Sequence, residues 1–180
     1  MLRTSLVVLV AVTIVAVNST SSEAQLVVRA MGGTAMEDIY GVGLGASVGF
    51  ELPVGSKGMF VGARGTYHLG KDLSLAGGLS SETGLLIYGV EFGSAIVTRP
   101  ILIRSAGLLG VASTSVKNLT GGSVISKLTN NKFVFGPGLL IAVPIGPTHL
   151  GVEPRYLRVF GGKSSFAVYG SFSINVDLTP

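Results

Sequence analysis

Residues 166–177 alternate large apolar and smaller or polar side chains without a break, and no other feature of the sequence restricts the fold as much. One face consists of Phe166, Val168, Gly170, Phe172, Ile174 and Val176, and the other of Ala167, Tyr169, Ser171, Ser173, Asn175 and Asp177. A period of two residues predicts a β-strand with one apolar face and one wet face. The stretch is roughly twice as long as an ordinary strand of ~5–6 residues. Similar stretches recur along the chain.

The first residues of the chain have the composition of an export signal. A positive charge at Arg3 precedes an apolar run over residues 6–17, and small residues stand at Ser22 and Ala24, the two positions that a signal peptidase reads. The apolar run is shorter than the ~20 residues that a membrane-spanning helix needs. We therefore expect residues 1–24 to be a signal peptide that is removed on export.

We expect residues 25–180 to form one domain, and their composition restricts which folds that domain can adopt. The mean hydropathy is +0.63, and only 12% of the residues are charged. The chain has no cysteine, so neither a disulfide framework nor a thiolate metal site is expected. The formal net charge is +4, but the basic residues are scattered, so nucleic acid is not an expected partner. With no further apolar run long enough for a helix, the chain must bury its apolar surface in a core or present it to lipid.

Eight extended segments are predicted, with turn-rich connections between them. They span residues 26–33, 39–53, 58–70, 84–95, 100–115, 132–145, 148–160 and 164–177. The connections at 53–57 and 146–148 are tight, whereas those at 71–83 and 116–131 are longer and polar. Short turns on one side, longer loops on the other and an even number of strands are typical of transmembrane barrels. We expect an all-β fold, an eight-stranded antiparallel up-and-down transmembrane β-barrel.

The segment over residues 40–52 indicates which face meets lipid. Its large side chains share one parity, and its glycines share the other with one serine and one glutamate. A soluble barrel would turn the large side chains inward and leave the glycines to water, where glycine weakens a strand. The opposite arrangement, with the glycines inside and the large side chains outside, suits a narrow lumen in a barrel surrounded by lipid. Tyr40 and Phe50 would then lie about 25 Å apart along the membrane normal, the spacing of two aromatic girdles. The girdle residues that we expect are Tyr40, Phe50, Tyr67, Tyr88, Phe92, Phe133 and Phe172.

Charged side chains occur on the faces that parity assigns to the lumen. They are Arg29, Glu51, Arg64, His68, Glu91, Glu153 and Arg155. Left unpaired in a narrow interior, each charge would cost on the order of several kcal/mol, so we expect a hydrogen-bonded ion-pair network that plugs the lumen. An eight-stranded barrel is only wide enough for its own side chains, and a freely conducting pore is not expected.

Some stretches depart from simple alternation. Phe60 and Arg158 share a parity with residues that belong on the opposite side of the barrel wall, so both are expected near a rim or beside a bulge. The segment 100–115 has no clean face. Pro137 and Pro144 lack ladder donors, which predicts a bulge or distorted pairing, and the segment that holds them has an apolar inner face that should be packed and dry.

The chain resembles the small outer-membrane β-barrel family, the OmpA/OmpX-like proteins. The resemblance is carried by the signal, by the alternation over 40–52, by the segment Gly151-Val152-Glu153-Pro154-Arg155-Tyr156 and by the final strand over 168–176. It implies a porin-like fold in the outer membrane of a Gram-negative cell envelope. It also implies contacts with membrane lipids and lipopolysaccharide, and insertion by the outer-membrane assembly machinery. It does not indicate the oligomeric state.

Neither an enzyme nor a cofactor is expected. His68 and His149, the two histidines, lie on different segments without carboxylates at metal-ligand spacing. Some small barrels are lipid A deacylases with a histidine and a serine two residues apart, and neither histidine here has that serine. We expect instead that the outer loops 71–83 and 116–131 contact the surroundings. The candidate loop residues are Lys71, Lys117, Lys127 and Lys132, which could also be ordinary solvated charges or could bind anionic lipid head groups.

The alternative function is a soluble secreted barrel of the lipocalin kind that carries a small apolar ligand in its lumen. The absence of tryptophan and of disulfides weighs against it. It would also require the large residues of 40–52 to point inward.

Overall fold

A computed structural model describes residues 24–37, 40–54, 57–70, 73–75, 79–120 and 123–177, and residues 1–23 of the predicted signal peptide lie outside this range. The described residues form nine strands. They are β1 (Gln25–Glu37), β2 (Tyr40–Val54), β3 (Lys57–Gly70), β4 (Leu73–Leu75), β5 (Leu79–Val97), β6 (Leu102–Thr120), β7 (Ser123–Ile145), β8 (Thr148–Val159) and β9 (Ser165–Asp177). Among the described residues, none lies in a helix with the length and apolar character needed to cross a membrane.

Eight long strands close into a ring in which neighbours along the chain pair antiparallel. The sheet order is β3-β2-β1-β9-β8-β7-β6-β5-β4. Two pairings between strands that are not consecutive complete the ring, β1 with β9 from Gln25↔Asp177 onward and β3 with β5 through Val61↔Phe92. The short β4 pairs with the outer end of β5 and adds no strand to the barrel wall. The predicted eight-stranded up-and-down barrel is confirmed.

Side chains alternate across the barrel wall as the period of two requires. On β2 the side chains of Val42, Leu44 and Val48 are exposed on the outer surface, whereas Gly43 and Ser47 are buried inside. Large apolar side chains cover the outer surface on the other strands too, for example on β9. A soluble barrel would need these side chains inside, so the soluble lipocalin-like alternative does not agree with the structure.

Glycine permits the close approach of strands on the inner face of β1 and β2. A methyl group added at Gly33 would overlap the carbonyl oxygen of Val168 and lie within 3 Å of Tyr169, and one added at Gly43 would lie 2.5 Å from the His68 ring. The backbone itself fills the space that side chains take elsewhere. The glycine-rich face of β2 is therefore a packing requirement of the lumen.

The two long outer connections differ from the prediction. The predicted loop over residues 116–131 is largely a continuation of β6 and β7, which stay paired up to Thr120↔Ser123, and the predicted loop over 71–83 contains β4 and the start of β5. Thr120 and Ser123 flank a Gly-Gly dipeptide, which is a recognised signal for a two-residue hairpin. That signal would have identified the extended hairpin.

Prolines interrupt one ladder without shifting its register. The β7–β8 pairing runs Val134↔Val159, Phe135↔Arg158, Gly138↔Arg155 and Ile141↔Val152, and no pairs are formed at Pro137 or at Pro154. Because proline has no N–H to donate, ladder bonds are lost where these residues lie. The distorted pairing expected near Pro137 is present, but no bulge accompanies it between β7 and β8. The same expectation for Pro144 is wrong, because Pro144 pairs with His149 in register.

A glycine pair tests the close approach of β1 to β9. Gly33→Ala should lower the free energy of unfolding by about 1–3 kcal/mol, because its methyl group meets backbone that cannot rotate away. Gly65→Ala is the matched control, since nothing lies within 4 Å of a methyl group added there. The measurement is urea unfolding of the barrel in lipid vesicles. Equal stabilities of the two variants would contradict the close approach.

Candidate functional site

The interior of the barrel holds a compact group of ionised side chains, which we call the charged layer. It consists of Arg29 on β1, Arg64 on β3, Glu91 on β5, and Glu153 and Arg155 on β8. All five are at most 3% exposed. Each stands at an inward position of the two-residue alternation, and the closed ring brings the four strands face to face across a narrow lumen.

Each glutamate of the charged layer contacts all three arginines. Arg64 Nη1 and Arg155 Nη2 donate to Glu91 Oε1 at 2.9 and 2.7 Å, and Arg29 Nη1 lies 3.4 Å from Glu91 Oε2. Glu153 Oε1 accepts from Arg64 Nη1 at 2.5 Å and from Arg155 Nε at 2.7 Å, and its Oε2 accepts from Arg29 Nη1 at 3.2 Å. Such mutual pairing offsets the large cost of removing five charges from water.

The charged layer carries one more positive than negative charge, since three arginines face two glutamates. Other groups take up part of the excess. Arg155 Nη1 donates to the carbonyl of Gly136 at 2.7 Å, and the Arg64 guanidinium lies 4.7 Å from the centre of the Tyr169 ring. A cation above an aromatic face is stabilised by the ring quadrupole, and the effect is larger away from water.

A second ion pair lies nearer the inner end of the barrel. Glu51 on β2 pairs with Arg104 Nη2 on β6, and the Arg104 guanidinium lies 5.3 Å from the centre of the Phe60 ring. Arg29 approaches the same ring at 5.4 Å. Arg104 was not among the predicted lumen residues. Its shared parity with Leu102 and Leu108 would have indicated that it faces the lumen.

The expectation for Phe60 is wrong. Its side chain is 1% exposed and lies inside the lumen between two guanidinium groups, rather than at a rim or a bulge. Because Phe60 shares a parity with Arg64, the alternation had correctly indicated that it faces the lumen. We expected a rim because a large aromatic ring did not suit a narrow lumen, but glycines at positions 49 and 62 leave the necessary space beside the ring.

The structure places His68 in the lumen but not among the carboxylates. Its Nε2 lies 2.9 Å from the Tyr169 hydroxyl, and its Nδ1 lies 3.4 Å from the carbonyl of Gly41. Tyr169 pairs with Gly33, Gly33 with Gly43, and Gly43 with His68 in successive ladders. The two glycines therefore allow two large side chains to meet across two intervening strands, a contact that the alternation pattern alone does not reveal.

Apolar side chains lie on both sides of the charged layer along the barrel axis. On β5, Ile87 belongs to a buried apolar cluster toward the outer end, Ala95 belongs to another toward the inner end, and Glu91 lies between them. The outer cluster also includes Leu108, Val134 and Leu157, and the inner one Leu102, Leu140 and Ala142. The charged layer thus lies between two apolar clusters, and the Glu51–Arg104 pair lies level with the inner one, since Arg104 pairs with Ala95.

The outer surface carries aromatic side chains at the positions assigned to the girdles. Tyr67, Tyr88, Phe92, Phe133 and Phe172 are exposed and Phe50 is partly exposed, while the side chain of Tyr40 lies outside the described residues. Phe135, Tyr156, Phe160 and Phe166 also face outward. Arg158 lies on this outer surface, with Nη1 3.4 Å from Ser164 Oγ near the β8–β9 turn.

The candidate loop lysines occupy different environments. Lys117 and Lys127 stand directly opposite each other on β6 and β7, and the Lys117 ammonium lies 3.7 Å from Glu82. Lys132 donates to the carbonyl of Gly161 and faces the mouth of the lumen. Lys71 lies outside the described residues.

Within the described residues, no three histidine, aspartate or glutamate side chains are grouped as metal ligands would be. Two polar arrangements among the described residues are large enough to consider as a site, the charged layer inside the barrel and the lysines at its outer end. Neither brings a nucleophile together with a general base, which hydrolysis by a serine–histidine mechanism would require.

The geometry defines a small membrane-embedded barrel with an ionic lumen, and solved structures share this fold. No family model matches the chain, and no curated protein matches it. Neisserial surface protein A is 16% identical, with a TM-score of 0.60 over 86% of this chain and 97% of its own. A major outer membrane protein from Thermus thermophilus is 14% identical, with a TM-score of 0.58 over 84% and 98%.

A third neighbour is Ail, the attachment invasion locus protein of Yersinia pestis. It is 12% identical, with a TM-score of 0.52 over 87% of this chain and 99% of its own. The fold of the chain is that of the small outer-membrane β-barrels. The predicted OmpA/OmpX-like architecture agrees with the fold of these neighbours.

A carboxylate pair tests how much the charged layer stabilises the barrel. Glu91→Gln should lower the free energy of unfolding by about 3–5 kcal/mol, because it leaves buried guanidinium groups without their counter-charge. Glu82→Gln is the matched control, since Glu82 is exposed with one contact at 3.7 Å, and it should change stability by at most about 1 kcal/mol. Urea unfolding in vesicles measures both. A small effect at Glu91 would mean that the charged layer is solvated.

Proposed function

We propose that the chain is a non-enzymatic bacterial outer-membrane protein whose closed barrel is an anchor and whose outer hairpins make contacts at the cell surface. The outward apolar surface suits insertion by the outer-membrane assembly machinery and contact with membrane lipids. The observation that carries the proposal is the unequal length of the strands. β5, β6 and β7 have 19, 19 and 23 residues, against 12 to 15 for the other five long strands.

Three successive layers of side chains support a closed lumen. An ion entering from outside would meet the apolar cluster around Ile87, then the charged layer, then the apolar cluster around Ala95 with the Glu51–Arg104 pair beside it. Dry apolar constrictions oppose ion entry because an ion there loses its hydration shell. The cross-linked arginines and glutamates occupy the middle of the lumen, which an eight-stranded barrel leaves barely wide enough for side chains.

Conductance measurements test the closed lumen. The purified, folded barrel in a planar lipid bilayer should give no steady current steps in concentrated potassium chloride, because the three layers lie in series. A large porin inserted under the same conditions is the control for detection. Regular current steps that scale with the amount of folded barrel would contradict a plugged lumen.

The surface contact is assigned to the part of β6 and β7 that extends beyond the barrel wall. Residues 123–131 are all exposed and pair with β6 on one side. On the other side β8 joins β7 only from Val134 within the described part of the chain. The backbone groups of this edge are therefore open to a partner, as in binding by strand addition.

The charges of this extension favour an anionic surface. Lys117 and Lys127 stand opposite each other on neighbouring strands, and the carboxylate of Glu82 contacts Lys117. Like charges directly opposite destabilise a ladder unless a counter-charge is supplied. Phosphate groups of lipopolysaccharide or other anionic lipid head groups have the right charge, and each lysine near such a surface contributes about 1 kcal/mol.

A charge variant tests the lysine pair. The Lys117→Gln/Lys127→Gln double variant, in immobilised nanodiscs of neutral lipid, should retain about tenfold less lipopolysaccharide than the parent barrel at low salt. Lys57→Gln, at the inner β2–β3 turn, is the charge control and should leave retention unchanged.

A shortened hairpin tests whether parts of the extension other than the lysines also bind lipopolysaccharide. Replacing residues 116–128 by Asn-Gly keeps Ser115 opposite Thr129, as in the parent ladder. Boiled and unboiled samples of the shortened barrel should still differ in gel mobility, which reports a folded barrel, while lipopolysaccharide retention falls. Retention that survives both the lysine substitutions and the shortening would overturn the assignment of surface contact to this hairpin.

A further inference from the structure

The outer mouth of the lumen contains a cavity that neither the charged layer nor the surface hairpin explains. Its volume is about 310 Å³, at the small end of the range for ligand sites. The inward faces of β5 to β8 line it, together with the β8–β9 turn and the start of β9. It lies directly above the outer apolar cluster, with which it shares Leu85, Ile87, Ala112 and Leu157.

The floor of this mouth cavity is apolar although it opens to water. Leu85, Ile87, Ala112 and Leu157 form the floor and are each at most 6% exposed, whereas Leu128 stands at the rim with 71% of its surface exposed, so the apolar surface that meets water lies mainly at the rim. An apolar surface of this kind costs free energy in water and gains it when an apolar group covers it. Its concave shape suits a chain-like apolar group rather than a flat protein surface.

The rim of the cavity is cationic. Lys132 and Lys163 line it, and no carboxylate is among the described residues that line it. Lys132 donates one hydrogen bond to the carbonyl of Gly161, which leaves two of its three ammonium donors for other acceptors. Thr114, Asn130 and Ser165 add polar groups around the lysines. The rim therefore attracts one negative charge at the point where the apolar floor ends.

We propose that the mouth cavity binds a single-chain anionic amphiphile, with its alkyl chain on the apolar floor and its carboxylate between Lys132 and Lys163. The volume suits one alkyl chain, and charge complementarity specifies the head group. The site is independent of the surface hairpin contact, because Lys117 and Lys127 face outward on the same strands and do not line the cavity. The binding reaction involves no covalent step.

Photo-crosslinking tests the proposal with the intact barrel in phosphatidylcholine nanodiscs. The probe is a twelve-carbon fatty acid with a diazirine at the end of its chain. Mass spectrometry should locate adducts on the floor residues, and unlabelled dodecanoate should compete with them. Dodecanol should compete about tenfold more weakly, since it lacks the charge, and inorganic phosphate should not compete.

Two variants locate the head group and the chain. Lys132→Gln/Lys163→Gln should weaken labelling about tenfold, whereas Lys57→Gln, which removes a charge at the inner end of the barrel, should not. Ala112→Leu should reduce labelling by filling the floor, and the heat-dependent gel mobility checks that this variant is folded. The lysine variants alter only the mouth, so their result stands whether or not the floor variant folds.

Three outcomes would overturn the proposal. Adducts confined to outward-facing residues would mean that the probe only dissolves in the bilayer. Equal competition by dodecanol and dodecanoate, with no effect of the lysine substitutions, would mean an apolar site without head-group recognition. Competition by phosphate as strong as that by dodecanoate would mean an anion site in which the apolar floor has no part.

Discussion

Every backbone N–H and C=O group within the hydrocarbon of a membrane must find its partner inside the protein, and the rest of this structure depends on that requirement. Eight strands meet it only when the first and last edges of the sheet are joined, which here takes the β1–β9 and β3–β5 ladders. Once the ring is closed, the two-residue alternation sends large apolar side chains to lipid and leaves the lumen to what can fit there. Glycine, serine, closely packed apolar side chains and a few ion-paired long side chains fit.

The side chains of the lumen form layers along the barrel axis, and the outer apolar layer belongs both to the barrel and to the proposed site at the mouth. Charged groups lie in the middle, where each can reach several counter-charges, and apolar groups lie on both sides. The outer apolar cluster lies between the charged layer and the mouth of the lumen. Its upper surface is also the floor of the mouth cavity, so the same residues provide the apolar half of the proposed ligand site.

Prediction from sequence succeeded where the information was local. The alternation over 40–52 assigned the lipid-facing side of β2 correctly, and each of the eight predicted segments overlaps one of the eight long strands. It failed where the outcome depended on distant strands. The partner of Glu51 is Arg104, 53 positions away along the chain, and His68 meets Tyr169, 101 positions away. Phe60 was misplaced because the space that receives its ring is created by glycines on two strands.

By itself, the sequence determined the number of strands in the barrel wall, the lipid-facing side of strands such as β2 and β9, and the scarcity of charge on that side. These follow from a period of two residues and from the cost of placing charge in hydrocarbon. The tertiary structure alone decided which charges meet, that Lys117 stands opposite Lys127, and that a cavity lies between Leu157 and the lysines at the mouth. These depend on the register of each ladder and on the closure of the ring. A shift of one residue would send each affected side chain to the other face, so such contacts are properties of the closed barrel and not of any one strand.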